Sequence, residues 1–338
     1  MTTLNAGRER APGPGGSGGS GRPHHNENRG GTAVARDTNR ARIVGSWLIT
    51  GAGGMLGRDL VDRLRPRGES VTGLRHGDLD VTDAAAVVAS LRSHRPDVVV
   101  NCAAWTAVDD AEAHEDNALK VNGNGAANLA AACAADGIRL VQISTDYVFA
   151  GRATRPYTEH ARPAPRTAYG RTKLAGERAV LGQAGGSCYV VRTAWLYGAH
   201  GANFVRTMIR LAREKPSVDV VDDQRGQPTW TVDVADRIIA LVRSGAPAGI
   251  YHATSSGHTT WWGFAREIFR LLGADPARVR ATTSSAFPRP APRPAYSVLG
   301  HDGWARAGIQ PIGPWQPALR QAFPELTKAS SADLTASG

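Results

Sequence analysis

A tyrosine and a lysine four residues apart could carry acid–base chemistry in this chain. Tyr169 and Lys173 form the pattern Y-x-x-x-K, and positions i and i+4 of a helix lie on one face. A free phenol has a pKa of about 10, and a nearby ammonium group favours the phenolate. We therefore expect Lys173 to lower the pKa of Tyr169, so that the pair can transfer a proton at neutral pH. Lys173 could also hold the ribose of a nicotinamide cofactor.

A hydroxyl-bearing segment precedes this pair. The string S-T-D-Y-V-F begins at Ser144, at the end of a short apolar run. Parallel strands bind ligands at their carboxyl ends. Thr145 could there donate a hydrogen bond to a substrate carbonyl and stabilise the alkoxide that develops during reduction.

A glycine-rich turn opens the patterned part of the chain. Gly51, Gly54 and Gly57 are spaced G-x-x-G-x-x-G between an apolar run and a helical stretch. This spacing permits a tight turn, a close approach of the backbone to a pyrophosphate, and close contact between helix and strand. The N-terminus of the helix then faces the phosphates. The turn predicts a dinucleotide-binding site.

The end of the second predicted strand selects the cofactor. An acidic residue there suits the ribose hydroxyls of NADH, whereas a basic residue suits the 2′-phosphate of NADPH. The strand runs into Arg75, which predicts NADPH, with NADH as the alternative. Asp80 and Val81 follow where an acid could lie near the adenine. Ala104 and Trp105 are expected beside the cofactor after the third strand, with structural packing as the rival interpretation for Trp105.

Strands and helices must alternate to bring these residues together. Short apolar runs bounded by glycine predict buried parallel strands. Helical stretches separate them, as in βαβ units. We predict an α/β fold with a Rossmann-type doubly wound parallel sheet, with strands at 47–50, 70–74, 97–101, 140–144 and 188–193 and helices at 55–65, 84–93, 123–136 and 169–181.

The second half of the chain has a looser pattern. Helices are predicted over 203–214, 232–243 and 261–272, whereas four prolines within 286–295 exclude a helix or central strand. We predict a smaller C-terminal substrate-binding lobe, mainly 194–328, beside a cofactor-binding part, mainly 46–193. Residues 1–45 are rich in Pro, Gly and Ser, which predicts a disordered tail, and 329–338 are predicted to be a flexible C-terminus.

Composition limits the classes of protein. The net charge is +10 and 36 of the 40 basic residues are arginine, but no basic–aromatic array predicts nucleic-acid binding. No apolar run is long enough to span a membrane, and no signal-peptide pattern begins the chain. Three unclustered cysteines argue against disulfides and zinc. We expect a cytoplasmic monomer or homodimer.

Several motifs together resemble the dTDP-4-dehydrorhamnose reductases, which are extended short-chain dehydrogenases/reductases. The resemblance spans roughly residues 46–326. Besides the motifs described above, it includes L-A-G-E after Lys173, R-T-A-W from Arg192, D-Q-R-G-Q-P-T from Asp223 and R-P-A-Y-S from Arg293. It implies one extended short-chain reductase domain, placed at 46–328.

The resemblance also implies an activity and roles for residues. The family reduces dTDP-4-dehydrorhamnose to dTDP-L-rhamnose, a 4-keto reduction, with a nicotinamide cofactor. Tyr169 is then the proton donor, Lys173 its partner, and Thr145 the hydroxyl that polarises the ketone. The implied sugar contacts are Thr145, Asp146 and Trp195, and the implied cofactor contacts include Gly54, Met55, Leu56, Ala104, Trp105 and Thr106.

Two positions depart from the family pattern. Arg75 replaces the acid that often follows the second strand. Some members carry a glutamate that joins a magnesium-bridged dimer, and this chain has Val232 at the aligned position. Glu325 could match the other ligand. Magnesium is therefore possible, but half a ligand set does not predict a metal site, so no metal-binding residues are assigned.

Other functions are left open by the same motifs. A dihydrostreptose-type synthase of an antibiotic-sugar pathway would act on a related 4-keto sugar. A sugar-nucleotide epimerase or dehydratase shares the fold, but a dehydratase typically has a glutamate after the T-D pair, where this chain has Tyr147. A non-catalytic regulatory subunit of the methionine adenosyltransferase type would have no use for Thr145, Tyr169 and Lys173.

Overall fold

Six parallel strands form the central sheet of the computed structural model, which describes residues 45–183 and 187–336, and side chains as far as residue 329. Their order across the sheet is β2-β1-β3-β4-β5-β10. The strands are β1 (Ser46–Thr50), β2 (Ser70–Leu74), β3 (Val98–Asn101), β4 (Arg139–Thr145), β5 (Cys188–Thr193) and β10 (Gly249–His252).

All six strands run parallel, but the order in which the chain adds them to the sheet reverses next to β1. Thr50 pairs with Leu74 of β2 on one side and with Asn101 of β3 on the other. Ligands of open α/β sheets bind at such a switch point, outside the carboxyl ends of the strands. The predicted doubly wound sheet is confirmed. The edge strand β10 was not predicted.

Alternating side chains of the strands face two helical layers. Ile49 packs with Leu60 and Ile238, whereas its neighbour Leu48 packs with Leu129 and other residues on the opposite face. This follows from the period of two in a strand. The helices are α1 (Met55–Leu64), α2 (Ala84–His94), α3 (Asp110–Ala113), α4 (Glu115–Leu119), α5 (Gly125–Ala135), α6 (Ala168–Leu181), α7 (Phe204–Glu214), α8 (Thr231–Ser244), α9 (Trp261–Leu271), α10 (Asp302–Arg306) and α11 (Trp315–Ala336).

A separate hydrophobic cluster builds the smaller lobe. Ile209 of α7, Phe264 and Phe269 of α9, and Leu319 of α11 are buried together in it. Short strand pairs flank these helices: β6 (Leu196–Tyr197) with β9 (Thr229–Trp230), β7 (Val218–Val221) with β12 (Val279–Thr282), and β8 (Arg225–Gly226) with β11 (Thr259–Thr260).

The predicted flexible ends of the chain lie at the limits of the described residues. The backbone of α11 continues to Ala336 although Pro324 lies inside it, whereas a flexible segment was predicted from residue 329. The predicted tail lies outside the described residues except for Gly45, and β1 begins at Ser46, where the pattern of the sequence changes.

Candidate active site

A cleft of about 1160 Å³ lies at the carboxyl ends of the strands, between the sheet and the smaller lobe. It brings together residues from five separate segments of the sequence. Of the predicted site residues, the cleft is lined by Gly51, Gly54, Met55, Leu56, Gly57, Ala104, Thr106, Thr145, Asp146, Tyr169, Lys173 and Trp195.

The glycine turn forms a tight cradle at the start of α1. Gly51 has φ +62°, and a Cβ there would lie 2.6 Å from the backbone nitrogen of Ala103. A Cβ at Gly57 would lie 2.5 Å from the Gly51 carbonyl oxygen. Within the described part of the chain no side chain caps the N-terminus of α1, so its backbone N–H groups can bind phosphate. The turn therefore fits the pyrophosphate of a dinucleotide.

Two arginines flank this turn. The side chain of Arg75 passes Gly53, because a Cβ at Gly53 would lie 3.6 Å from Cγ of Arg75. Nε of Arg58 donates to the Gly53 carbonyl oxygen at 3.0 Å. Arg75 is exposed and lies outside the cleft lining. Positive charge is thus concentrated where the second strand ends.

Three other predicted cofactor residues lie outside the cleft lining. The carboxylate of Asp80 accepts hydrogen bonds from the backbone and hydroxyl of Thr82, which lower the pKa of Asp80. Val81 is buried against Gly125, and its carbonyl oxygen accepts a hydrogen bond from the side-chain amide of Asn128 at 3.0 Å. Trp105 packs beside Ala168 and Tyr169. Of the two interpretations of Trp105, the structure favours packing.

Thr145 and Asp146 lie buried where β4 ends. The hydroxyl of Thr145 donates to Oδ1 of Asp146 at 3.0 Å and accepts from the backbone N–H of Tyr147. Oδ2 of Asp146 is buried and has no hydrogen-bond partner among the residues that the structure describes. Burial raises the pKa of Asp146 to about 6. An unpaired buried carboxylate oxygen in a cleft is an acceptor suited to a ligand hydroxyl.

Tyr169 stands on α6 next to Thr145. Burial raises the pKa of Tyr169 to about 12, and a hydrogen bond with Thr145 acts in the opposite direction. We expected Lys173 to lower the pKa of Tyr169. In the protein without ligands this expectation was wrong, because desolvation of the buried phenol is the largest influence and raises its pKa. The phenol therefore stays protonated at neutral pH, which is the form that a proton donor requires.

Lys173 lies one turn further along α6 and is 4% exposed. Its Nζ donates to the backbone carbonyl of Ile143 at 2.7 Å. Burial lowers the pKa of Lys173 to about 8, although the nearby Glu177 carboxylate raises it. Its hydrogen bond thus holds this ammonium group against β4.

Asn122 supports the site, and the sequence did not point to it. It lies in a π-helical turn, Lys120–Asn124, between α4 and α5. Its side chain accepts from the backbone N–H of Trp105 at 2.9 Å and donates to Trp105 carbonyl and Thr172 hydroxyl oxygens. Asn122 thereby ties the loop after β3 to α6. A π-helical turn has no periodicity that sequence reasoning could detect.

The smaller lobe supplies an aromatic wall and a proline-rich strap, residues 287–294. Trp195 lines the cleft and stacks on Trp261, a residue missed by the sequence analysis. In the strap, Arg293 donates two hydrogen bonds of 2.8 Å to the carboxylate of Asp109 in the loop after β3. This ion pair joins both sides of the cleft.

The described part of the chain contains neither a cluster of metal ligands nor a helix that could span a membrane. No cluster of three or more His, Cys, Asp or Glu able to hold a metal ion occurs among the described residues. Val232 packs against the core of the smaller lobe, and Glu325 is exposed on α11. No helix within residues 45–183 or 187–336 is both long and apolar enough to cross a membrane.

Comparisons with known proteins agree with this geometry. The chain is 58% identical over 284 residues to a dTDP-4-dehydrorhamnose reductase of Streptomyces griseus, covering 83% of this chain and 93% of the relative. It is 56% identical over 285 residues to a dTDP-4-keto-6-deoxy-D-glucose reductase of Streptomyces niveus, covering 84% and 99%.

A solved structure has the same fold. The dTDP-4-dehydrorhamnose reductase of Bacillus anthracis, in complex with NADP, superposes with a TM-score of 0.80 at 37% identity, covering 83% of this chain and 99% of that one. The family model described as the RmlD substrate binding domain matches residues 46–328. The chain therefore belongs to the RmlD family, that of the dTDP-4-dehydrorhamnose reductases.

Proposed function

We propose that this chain reduces the 4-keto group of a dTDP-linked 4-dehydro-6-deoxy-L-hexose with a nicotinamide cofactor. The substrate is dTDP-4-dehydrorhamnose, giving dTDP-L-rhamnose, or a close relative from antibiotic-sugar biosynthesis. One observation carries the proposal: Thr145, Asp146, Tyr169 and Lys173 meet in the cleft that also contains the glycine cradle. The names of the relatives support the class of substrate.

The hydroxyl groups of the chain act on the substrate oxygen. The nicotinamide supplies a hydride to C4 when it is bound. Thr145 turns its hydroxyl proton from Oδ1 of Asp146 to the carbonyl oxygen and donates a hydrogen bond there as negative charge grows. Tyr169 then gives its proton to that oxygen, which completes the alcohol.

The charged groups orient the ligands. Lys173 holds the nicotinamide ribose, since its ammonium group lies one helical turn from the donor tyrosine. The unpaired Oδ2 of Asp146 accepts a hydrogen bond from a sugar hydroxyl. Trp195 contacts the face of the sugar. Gly51, Gly54, Met55, Leu56 and Gly57 hold the pyrophosphate end of the cofactor.

NADPH is the cofactor favoured by charge. Arg75 and Arg58 flank Gly53 of the glycine turn. The 2′-phosphate of NADPH adds negative charge that a guanidinium can bind through two hydrogen bonds. The ribose of NADH offers no such charge. No complete set of magnesium ligands lies among the described residues, and the proposed mechanism assigns no step to magnesium.

The other functions are less well supported. A dehydratase would need a carboxylate where Tyr147 lies, and burial raises the pKa of that phenol. A regulatory subunit would not require the buried arrangement of Tyr169 and Lys173. We propose further that the enzyme is a monomer or homodimer located in the cytoplasm.

A product assay tests the function. The purified chain is incubated with NADPH and dTDP-4-dehydrorhamnose, or with dTDP-4-dehydro-6-deoxy-D-glucose, and the products are identified by NMR. We expect conversion of dTDP-4-dehydrorhamnose to its 4-hydroxy sugar, with NADPH consumed in equal amount. Reduction of the D-glucose derivative alone would contradict the proposed L-hexose substrate. If the protein is folded and binds NADPH but consumes neither keto sugar, the proposal is contradicted.

A further inference from the structure

Trp195 has an unusual backbone conformation. Its φ is +47°, and Arg95 is the one other non-glycine residue with a positive φ in the described part of the chain. A bulky residue in this region is strained and persists only where the surrounding structure holds it. Trp195 lies two residues after the end of β5 and lines the cleft. The strain therefore lies at the wall of the site.

Two surfaces confine the indole of Trp195. The ring of Trp261 stacks on it with centroids 3.6 Å apart and planes inclined by 7°. Gly226 contacts the same indole so closely that a Cβ there would lie 2.6 Å from Nε1 of Trp195. The backbone is fixed as well, because the Trp195 carbonyl oxygen accepts from the N–H of Thr229 at 3.1 Å.

Trp261 is itself anchored. Its Nε1 donates to Oε1 of Gln224 at 3.1 Å, and the amide of Gln224 donates to the hydroxyl of Ser284 at 2.8 Å. Phe204 lies against the Trp261 ring at 4.5 Å between centroids. Trp261 is therefore a fixed platform, whereas Trp195 depends on its neighbours to keep its strained conformation.

We propose that Trp261 is a positioning residue, which holds Trp195 in the left-handed conformation and so sets where the sugar lies relative to the Tyr169 hydroxyl. Stacking of the two indoles offsets the backbone strain. Without the platform, Trp195 relaxes to a negative φ and its ring leaves the wall. This inference rests on the proposed sugar reduction for its effect on catalysis, but the placement of Trp195 does not.

The kinetic experiment compares three variants. Trp261→Ala should lower kcat/KM for the 4-keto sugar nucleotide by about 10- to 100-fold, since small misplacements of a substrate are costly. The Kd of NADPH should not change. Trp261→Phe should restore most of the activity because a flat ring remains.

Trp262→Ala is the matched control. Trp262 is the next residue of the same helix, its Nε1 donates to the Val279 carbonyl oxygen, and Arg266 lies over its ring at 4.7 Å. It does not line the cleft. Any stability lost through removal of an indole from α9 appears in both alanine variants, whereas the kinetic effect should appear in Trp261→Ala alone.

A spectroscopic measurement separates the two parts of the inference. In protein labelled with 5-fluorotryptophan, the ¹⁹F resonance of Trp195 is assigned by its loss in Trp195→Phe. It should shift in Trp261→Ala and stay in place in Trp262→Ala. An unshifted Trp195 resonance in Trp261→Ala would overturn the positioning role of Trp261. If Trp261→Ala does not fold, Trp261→Phe answers the same question with a smaller expected shift.

The two ways of failing are distinguishable. If the Trp195 resonance shifts in Trp261→Ala but kcat/KM is unchanged, Trp261 holds Trp195 by stacking but does not set the position of the sugar. If the wild-type chain reduces no 4-keto sugar nucleotide, the proposed function fails, and the ¹⁹F shift still decides whether Trp261 holds Trp195.

Discussion

The guanidinium of Arg192 donates two hydrogen bonds to the carboxylate of Glu177, at 2.8 and 2.6 Å, and both side chains are at most 2% exposed. Glu177 also accepts from the hydroxyl of Ser144. Arg192 lies opposite Ser144 in the register of β5 and β4. The ion pair therefore fixes α6, which carries Tyr169, to β5, and the hydrogen bond from Ser144 ties the same carboxylate to β4, which presents Thr145.

Glu177→Gln should destabilise the fold strongly. The substitution leaves the Arg192 guanidinium buried without a counter-charge, and breaking a buried pair typically costs about 3–5 kcal/mol. The free energy of unfolding from denaturant titration measures this. Glu115→Gln is the control. Its partner Arg171 lies on α6, as Glu177 does, but the side chains of Glu115 and Arg171 are both about 40% exposed. This control substitution should change the free energy of unfolding by less than about 1 kcal/mol. Equal losses of stability in Glu177→Gln and Glu115→Gln would contradict the stabilising role of the buried ion pair.

Tyr169→Phe should abolish most turnover while cofactor binding is retained. The ring still packs, but the proton donor is lost, which typically costs about 10²–10⁴-fold in rate. Single-turnover kinetics with a 4-keto sugar nucleotide measure this. Tyr189→Phe is the control, because the Tyr189 hydroxyl donates to the Ala246 carbonyl oxygen. That variant should keep its rate, and a fully active Tyr169→Phe enzyme would refute the mechanism.

Arg75→Asp should reverse the preference for NADPH over NADH. A charge-assisted contact contributes about 1.5–3 kcal/mol, equivalent to about ten- to hundred-fold in affinity. The aspartate adds repulsion to this loss. The measurement is kcat/KM for each cofactor. Arg213→Asp, an exposed position on α7, makes the same change in net charge and should leave the preference intact. Equal wild-type values would make Arg75 a solvated surface residue.

Cofactor affinity should fall as the pH rises through about 8. Lys173 has a pKa lowered to about 8, so its ammonium group is present below that pH and lost above it. Tyr169 stays neutral throughout, because its pKa is raised to about 12. Fluorescence titration with NADPH between pH 6.5 and 9.5 gives the Kd. In Lys173→Met the affinity should be lower and independent of pH in this range. A constant wild-type Kd would contradict this assignment.

Local patterns predicted the parallel sheet and the site motifs because each rests on a short stretch of chain. The apolar runs that precede Gly51 and end at Ser144 are buried strands, and the Y-x-x-x-K pair does lie on one helix. The strand Gly249–His252 was missed since its four residues are mixed in polarity, and its place beside β5 depends on a long crossover.

Long-range contacts could not be predicted in the same way. Trp195, Gly226 and Trp261 meet from three segments, and no spacing in the sequence indicates that a glycine must make room for an indole. The pKa of Tyr169 was predicted in the wrong direction because the pattern shows the neighbouring charge of Lys173 but not the extent of desolvation.

The chemistry of the three cysteines makes the chain convenient for site-selective labelling. Burial raises the pKa of Cys102 and Cys133 to about 12, and it also raises that of Cys188. Thiolates, not thiols, react with maleimides, and the chain has no other cysteine. A cysteine introduced at Leu181, which is 42% exposed at the end of α6, would be the reactive one. A dye there would report movements of the helix that carries Tyr169 without removal of any native thiol.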